Sequence, residues 1–229
     1  MKILSYLEGA TTISSPWEEV RPIAGLPPSI VLEALRARYG FSTAGFSAAG
    51  QQGGFFTPHM QLGKIDRDGY SISINSLEFQ PSSVTVVSSK TEFSDYGLQD
   101  IFDFLTANLG FRRPSGARKV THQSTIIFSP DEADTEDAFG KWNDVLRFVN
   151  SKIKQDEGNY SGWGFKFANG EIGGAGENQL IIEKRAISPP NENWWFSRGQ
   201  FDSMSHTQIL EYIERIFPAQ KSAKAAHRK

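Results

Sequence analysis

The sequence contains no cysteine. This absence excludes disulfide bridges, thiolate nucleophiles and zinc or iron–sulfur sites with cysteine ligands. The chain also lacks an apolar run of the roughly 18 residues that a membrane-spanning helix needs. Its N-terminal apolar stretch, which begins at Ile3, is too short for a signal peptide. We therefore expect a cytoplasmic protein that does not enter a membrane.

Histidine is scarce and shows no metal-binding spacing. The four histidines are His59, His122, His206 and His227, and none lies in an H-x-H or H-E-x-x-H motif. No G-x-S-x-G element occurs for a serine nucleophile. The glycine cluster at 170–176 lacks the Gly-Lys-Ser/Thr of a phosphate-binding loop, and a strand rather than a helix is predicted to follow it. The sequence predicts neither a metal ion nor a cofactor.

The composition is that of an ordinary globular protein. Of 229 residues, 38% are hydrophobic and 22% are charged, which is enough for one large domain or two small ones. The net charge of −2 gives no overall attraction to nucleic acid or to an anionic membrane. Binding to such partners would need a local basic patch.

Apolar periodicity predicts several helices. The spacing of Leu98, Ile101, Phe102 and Leu105 predicts a helix that Asp95 caps and Gly110 ends. A second helix is predicted over 139–153. Ser205 and Gln208 form the S-x-x-Q pattern of a capping box before a last helix that Pro218 ends. Residues 29–39 fit a helix or a strand, and their good helix formers favour the helix.

Other stretches predict strands or irregular structure. The alternation of Ile72 and Ile74 with serines predicts a half-buried strand. Further strands are predicted near 84–88, 122–128, 164–167, 180–187 and 194–197. Four prolines within residues 1–28 predict an irregular arm, and residues 42–69 are predicted to be a link rich in Gly, Ser and Gln.

Two parts of the chain share a pattern. Ser89 to Leu105 can be laid over Ser197 to Ile213 without a gap, and two predicted strands precede each segment. A true duplication and the shared spacing of any two hairpin–helix units explain this equally well. The predicted fold is α+β, an antiparallel sheet with helices packed on one face. We expect a single domain over 1–218, followed by a basic disordered tail at 219–229. If the duplication is real, the domain consists of two pseudo-repeated halves, about 27–113 and 119–218.

Three groups of residues are candidates for function. The weak catalytic candidates are His122, His206, Glu183 and Arg185. The interface candidates are Trp194 and Trp195, because neighbours on a strand point to opposite faces and a one-sided sheet would expose one of them. The weak candidates for nucleic-acid binding are Arg112, Arg113, Arg118 and Lys119.

The preferred hypothesis is a non-catalytic protein-binding or assembly component of a bacterial or phage system, acting with a protein partner or as a homo-oligomer. It follows from the missing catalytic motifs and the adjacent aromatic residues. One alternative is a small-ligand-binding or enzymatic domain with its site between sheet and helices. The other is a nucleic-acid-binding protein that uses the basic link and tail. The fold alone does not choose among them.

Overall fold

The computed structural model describes residues 1–15, 25–47, 57–67, 69–80, 82–113, 119–129, 164–168, 179–185 and 194–216. These ranges contain nine strands and three helices, and neighbouring strands are antiparallel, which confirms the predicted α+β class. No helix in these ranges is long and apolar enough to cross a membrane. The elements in chain order are β1 (Lys2–Ser14), α1 (Pro28–Tyr39), β2 (Thr43–Ser47), β3 (Thr57–Arg67), β4 (Tyr70–Gln80), β5 (Ser83–Ser88), α2 (Thr91–Leu109), β6 (Val120–Ser129), β7 (Gly164–Ala168), β8 (Gln179–Lys184), β9 (Trp195–Gly199) and α3 (Ser203–Ile216).

The described residues fall into two compact units. The larger unit takes its residues from 6–125 and 200–204, and the smaller unit from 1–5, 126–199 and 205–216. Strand β6 contributes its first six residues to the larger unit and its remainder to the smaller one. Neither unit coincides with the pseudo-halves 27–113 and 119–218, and the division into a single domain with a tail stays a prediction.

In the larger unit, strands follow the hydrogen-bonded order β2-β3-β4-β5-β1. The predicted alternation in β4 is confirmed, since Ile72 and Ile74 are buried while Ser71 and Ser73 are exposed. Helices α1 and α2 cover the buried face, as the sequence predicted for helices packed on one face. The core between them is a single apolar cluster that includes Val31, Leu35, Tyr39, Met60, Ile65, Ile72, Ile74, Leu77, Phe79, Val84, Val86, Leu98, Ile101, Phe102 and Leu105.

In the smaller unit, β9, β8 and β7 lie side by side in that order. Strand β7 pairs with β8 from Gly164↔Glu183 to Ala168↔Gln179. Strand β8 pairs with β9 from Ile181↔Arg198 to Lys184↔Trp195. These strands confirm the runs predicted near 164–167, 180–187 and 194–197. The helix predicted over 139–153, the glycine cluster at 170–176 and the tail at 219–229 lie outside the described residues.

Two predictions of irregular structure were wrong. Residues 2–14 form β1, which pairs with β5 from Gly9↔Ser88 to Ser14↔Ser83. The apolar residues of β1 do not alternate regularly with polar ones, so its pairing with β5 rather than its own pattern makes it a strand. The link at 42–69 contains β2 and β3. Gly63 of β3 is needed there because a Cβ atom would lie 2.5 Å from the Phe41 ring.

Two helix starts also differ from the sequence predictions. Helix α2 begins at Thr91 rather than at Asp95, and α3 begins at Ser203 rather than after Ser205. The hydroxyl groups of Thr91 and Ser203 explain this: each accepts the backbone N–H of the other residue, at 2.8 and 3.0 Å. This reciprocal capping involves residues distant in sequence, so local motifs do not reveal it. The gapless alignment places Thr91 opposite Gly199 and therefore misses the start of α3 by four residues.

We predict that Gly9→Ala destabilises the protein. A Cβ atom at Gly9 would lie 2.2 Å from backbone atoms of Lys90 and Thr91, which cannot move aside as a flexible side chain can. Overpacking of this kind costs about 1–3 kcal/mol, measured as the free energy of unfolding in urea. Gly45→Ala is the control, because a Cβ atom at that position would have no neighbour within 4 Å. Equal effects of the two substitutions would contradict the close approach.

Candidate functional site

A polar groove lies between α1, β3 and α2 in the larger unit. Its main part has a volume of about 560 Å³ and an adjoining part about 260 Å³, and the two share Arg38, Ile65 and Asp66. We call this surface the α1–α2 groove. It is lined by Ala37, Arg38, Tyr39, Gly40, Lys64, Ile65, Asp66, Tyr96, Gln99, Asp100 and Asp103.

Local sequence explains why these side chains meet. Gly40 ends α1 in the left-handed conformation, with φ of 64°, and its N–H bonds to the carbonyl of Arg36. This places Arg38 and Tyr39 in the last turn of the helix. On α2, residues 96, 99, 100 and 103 follow helical spacing and form a polar stripe beside the buried apolar one. Each helix thus presents one apolar face to the sheet and one polar edge to the groove.

Tyr39 lines the smaller, adjoining part of the groove. Its side chain is only 2% exposed, and its ring makes edge-to-face contacts with Phe41 and Phe104 at centroid distances of 6.0 and 5.8 Å. The phenol donates a hydrogen bond of 2.8 Å to Oδ2 of Asp100. Burial raises the pKa of Tyr39 well above its ordinary value, and the bond to Asp100 acts in the same direction. The bond joins the end of α1 to the middle of α2.

The charges of the groove are mostly paired. Nζ of Lys64 lies 2.9 Å from Oδ2 of Asp66, and this contact, followed by a hydrogen bond from Ser71, lowers the pKa of Asp66. Asp103 forms an ion pair with Arg113. Arg38 differs: its Cζ lies 5.8 Å from the centroid of the Tyr39 ring, and no carboxylate among the described residues pairs with it.

His122 belongs to a second polar cluster, at the start of α2. Its Nε2 lies 2.9 Å from Oδ1 of Asp95, and the Thr11 hydroxyl donates to the same oxygen at 2.8 Å. The His122 side chain is 28% exposed, so this carboxylate-oriented imidazole could exchange protons with a bound molecule. No hydroxyl group among the described residues is hydrogen-bonded to His122, and the Thr11 hydroxyl bonds to Asp95 instead, so the cluster holds a histidine–carboxylate pair without an activated nucleophile.

His206 has a structural role in the smaller unit. It is fully buried, and its Nε2 lies 2.8 Å from the hydroxyl of Ser197. That hydroxyl donates its proton to the carbonyl of Ile181 at 2.9 Å, so it accepts from His206. The serine proton therefore does not point at the imidazole, as a serine nucleophile would require. The bonds tie β8, β9 and α3 together.

The structure brings two of the other predicted residues together. Arg185 follows β8, donates its backbone N–H to the carbonyl of Trp194 at 2.9 Å, and holds its guanidinium carbon 5.7 Å from a ring centroid of that tryptophan. Trp194 is half-buried, Trp195 is only 5% exposed in the core, and Glu183 is exposed on β8. Arg185 therefore lies against Trp194, the less buried of the two tryptophans.

The basic stretch is partly neutralised. Arg112 and Arg113 are exposed after α2, and Arg113 pairs with Asp103. Lys119 is exposed, and its carbonyl accepts the N–H of Ser14 next to the start of β6. Arg118 lies outside the described residues. The described residues also contain no group of three or more His, Asp or Glu side chains that could hold a metal ion.

Sequence reasoning missed the groove. Arg38, Tyr39, Asp66 and Asp100 were assigned to predicted helices or to the link, not to a site. The polar stripe on α2 was visible as helical spacing, and it is the one signal that could have indicated this surface. The opposite wall could not be foreseen, because β3 had been predicted to be irregular.

We predict that Tyr39→Phe lowers stability by about 1 kcal/mol at pH 8, the usual net value of such a hydrogen bond. Because the folded-state pKa is raised, the stabilisation by Tyr39 is complete below the unfolded pKa of about 10 and is lost as the pH rises towards the folded-state value. The difference between wild type and variant should therefore shrink by pH 11, in unfolding by urea. Tyr70→Phe, at an exposed position, is the control. A difference that does not change with pH would contradict this account.

A second prediction concerns Ser197→Ala. The substitution removes the acceptor that Nε2 of the buried His206 uses, which costs about 1–3 kcal/mol. Thermal and urea unfolding should show this loss, while Ser73→Ala at an exposed position of β4 should change stability by less than about 0.5 kcal/mol. A Ser197→Ala protein as stable as the Ser73→Ala control would refute the structural role of the Ser197–His206 bond.

Comparisons with known proteins assign no family. No model of a protein family matches the chain, and no curated protein matches it either. The α1–α2 groove is therefore assigned from its geometry and charge alone, and it is the candidate site on which the functional proposal rests.

Proposed function

We propose that the protein is a non-catalytic protein-binding or assembly component and that the α1–α2 groove is its binding surface. The observation that carries the proposal is an open groove of about 560 Å³ whose walls are charged side chains on two helices and a strand. The partly buried hydrogen bond from Tyr39 to Asp100 links α1 to α2 at this groove.

The lining of the groove favours a macromolecular partner over a metabolite. Pockets for small molecules are mostly apolar and enclose most of the ligand surface. Here the one large aliphatic side chain in the lining is Ile65, and most of the others are charged or polar. Interfaces between proteins typically have a polar rim, and arginine and tyrosine are enriched among the residues that contribute most to binding. Arg38 and Tyr96 occupy such positions in the groove.

The positions of the candidate catalytic residues also favour binding. His206 is buried in a structural bond to Ser197, and Arg185 lies on Trp194. An enzymatic function is the second candidate, because Asp95 orients the accessible imidazole of His122. That alternative requires a substrate that supplies its own nucleophile or needs proton transfer alone. His122→Ala, which leaves the groove untouched, separates the two functions: it would abolish catalysis and leave partner binding unchanged.

The proposal predicts a partner that contacts α2 at the groove. A photoreactive amino acid placed at Gln99, in the lining, should crosslink to one discrete protein in cells that naturally contain the chain. That protein can be a second copy of the chain, since assembly with itself is one form of the proposal. The same amino acid at Gln80 is the control, because Gln80 is exposed at the far end of β4, about 30 Å along the strand from the partner of Asp66.

A discrete crosslink from position 99 and none from position 80 would support the groove as the binding surface. Crosslinks of equal yield from both positions would show non-specific contact. The absence of any crosslink at position 99, from a variant that folds as the wild type does, would overturn the proposal.

A further inference from the structure

Two charges of the α1–α2 groove form no ion pair in the described part of the chain. The five charged side chains in its lining are Arg38, Lys64, Asp66, Asp100 and Asp103. Lys64 pairs with Asp66, and Asp103 pairs with Arg113 outside the lining. Arg38 and Asp100 remain, one cation and one anion.

Both remaining charges are held by Tyr39. The guanidinium of Arg38 lies by the ring of Tyr39, and Oδ2 of Asp100 accepts its phenolic proton. A cation–π contact and a bond to a neutral phenol orient these two groups without neutralising them. Both groups therefore lie beside the Tyr39 side chain, and neither forms an ion pair with another described residue.

The chemistry of the two groups defines what fits them. A guanidinium presents parallel N–H donors that match a carboxylate, and it forms stronger bonds with carboxylates than with neutral acceptors. The carboxylate of Asp100 keeps most of its acceptor capacity after one bond from Tyr39, and an ammonium or guanidinium group fits it. A ligand with one acidic and one basic group complements the pair.

We propose that the groove recognises a protein segment that presents an acidic side chain to Arg38 and a basic side chain to Asp100. This inference rests on the proposed binding function and adds the chemistry of the partner. The lining on α2 runs from Tyr96 to Asp103, about 10 Å along the helix axis, which is room for two turns of a docked helix. Oppositely charged side chains four residues apart on such a helix lie on one face, about 5–6 Å apart at Cβ.

Charge complementarity also predicts selectivity. A segment with two acidic groups would place one of them against Asp100, and a segment with two basic groups would place one against Arg38. Repulsion between like charges costs more free energy in a segment with uniform charges than attraction contributes in a segment with mixed charges. The groove should thus distinguish a mixed pair from either uniform pair.

The test uses three alanine-based helical peptides that carry Glu and Lys, two Glu, or two Lys at positions four apart. Each is titrated into the isotope-labelled full chain, and backbone NMR shifts are followed at moderate salt. The mixed peptide should shift residues 37–40, 64–66 and 96–103, and should bind about five- to tenfold more tightly than the uniform peptides. Equal binding of all three, no binding of the mixed peptide, or shifts outside these residues would overturn the proposal.

Matched variants assign the effect to the two charges. Arg38→Gln and Asp100→Asn should each reduce binding of the mixed peptide about fivefold or more, while Arg36→Gln, at an exposed position of α1 outside the groove lining, should leave it unchanged. If Arg36→Gln weakened binding of the mixed peptide equally, the loss would reflect the overall charge of the protein and not the two groups of the groove. Free lysine and glutamate are titrated in parallel, and saturation of the same residues by either would show a site for small amphoteric molecules and overturn the docking of a segment.

The crosslinking experiment separates the two proposals. If Arg38→Gln loses the mixed peptide while position 99 still crosslinks to the partner in full yield, the binding function stands and the charge assignment is wrong. If neither variant nor wild type crosslinks at position 99, the proposed function itself fails. If Arg38→Gln loses both peptide binding and crosslinking, the result supports both the proposed binding function and the charge assignment.

Discussion

The hydrogen bond from Tyr39 to Asp100 is the interaction on which the proposed site depends. Tyr39 is almost fully buried against the sheet, and its phenol would lose its bond to water on folding without a partner there. Asp100 supplies that partner from the neighbouring helix. The same bond links α1 to α2 and holds a carboxylate of the groove lining, so that the proposed recognition and the packing share one contact.

The start of α2 is held as firmly as its middle. Gly9 lets β1 approach the backbone at Lys90, and the buried hydroxyl of Ser94 donates to the carbonyl of Gly9. Thr11 binds Asp95, and Thr91 exchanges bonds with Ser203. The first turn of α2 is bonded to β1 and its centre is bonded to α1, so contacts at two points along the helix hold its polar stripe in place. Preorganisation of this kind reduces the entropy that binding must overcome.

Much of the fold could be predicted from the sequence because its elements carry their own periodicity. The alternation in β4, the apolar stripe of α2 and the helix formers of α1 indicated the right structures. Strand β1 could not be recognised, since its apolar residues do not alternate regularly and it forms a strand through pairing with β5. The starts of α2 and α3 were misplaced because Thr91 and Ser203 cap one another from 112 positions apart.

The site was less accessible to sequence reasoning than the fold. The sequence offered His206 as a weak catalytic candidate, yet this side chain is buried and bonds to the Ser197 hydroxyl. The groove is assembled from three elements that are distant in the chain, and its members are residue types common on any surface. Such a site becomes visible when the geometry shows which charges are neutralised and which are not.

The most direct test of this account is the affinity of the crosslinked partner, once identified, for the Tyr39→Phe variant at a temperature where the variant is fully folded. Tyr39 is too buried to contribute a large contact to a partner, so the account predicts weaker binding through the displaced Asp100. An affinity equal to that of the wild type would contradict the claim that this hydrogen bond organises the binding surface.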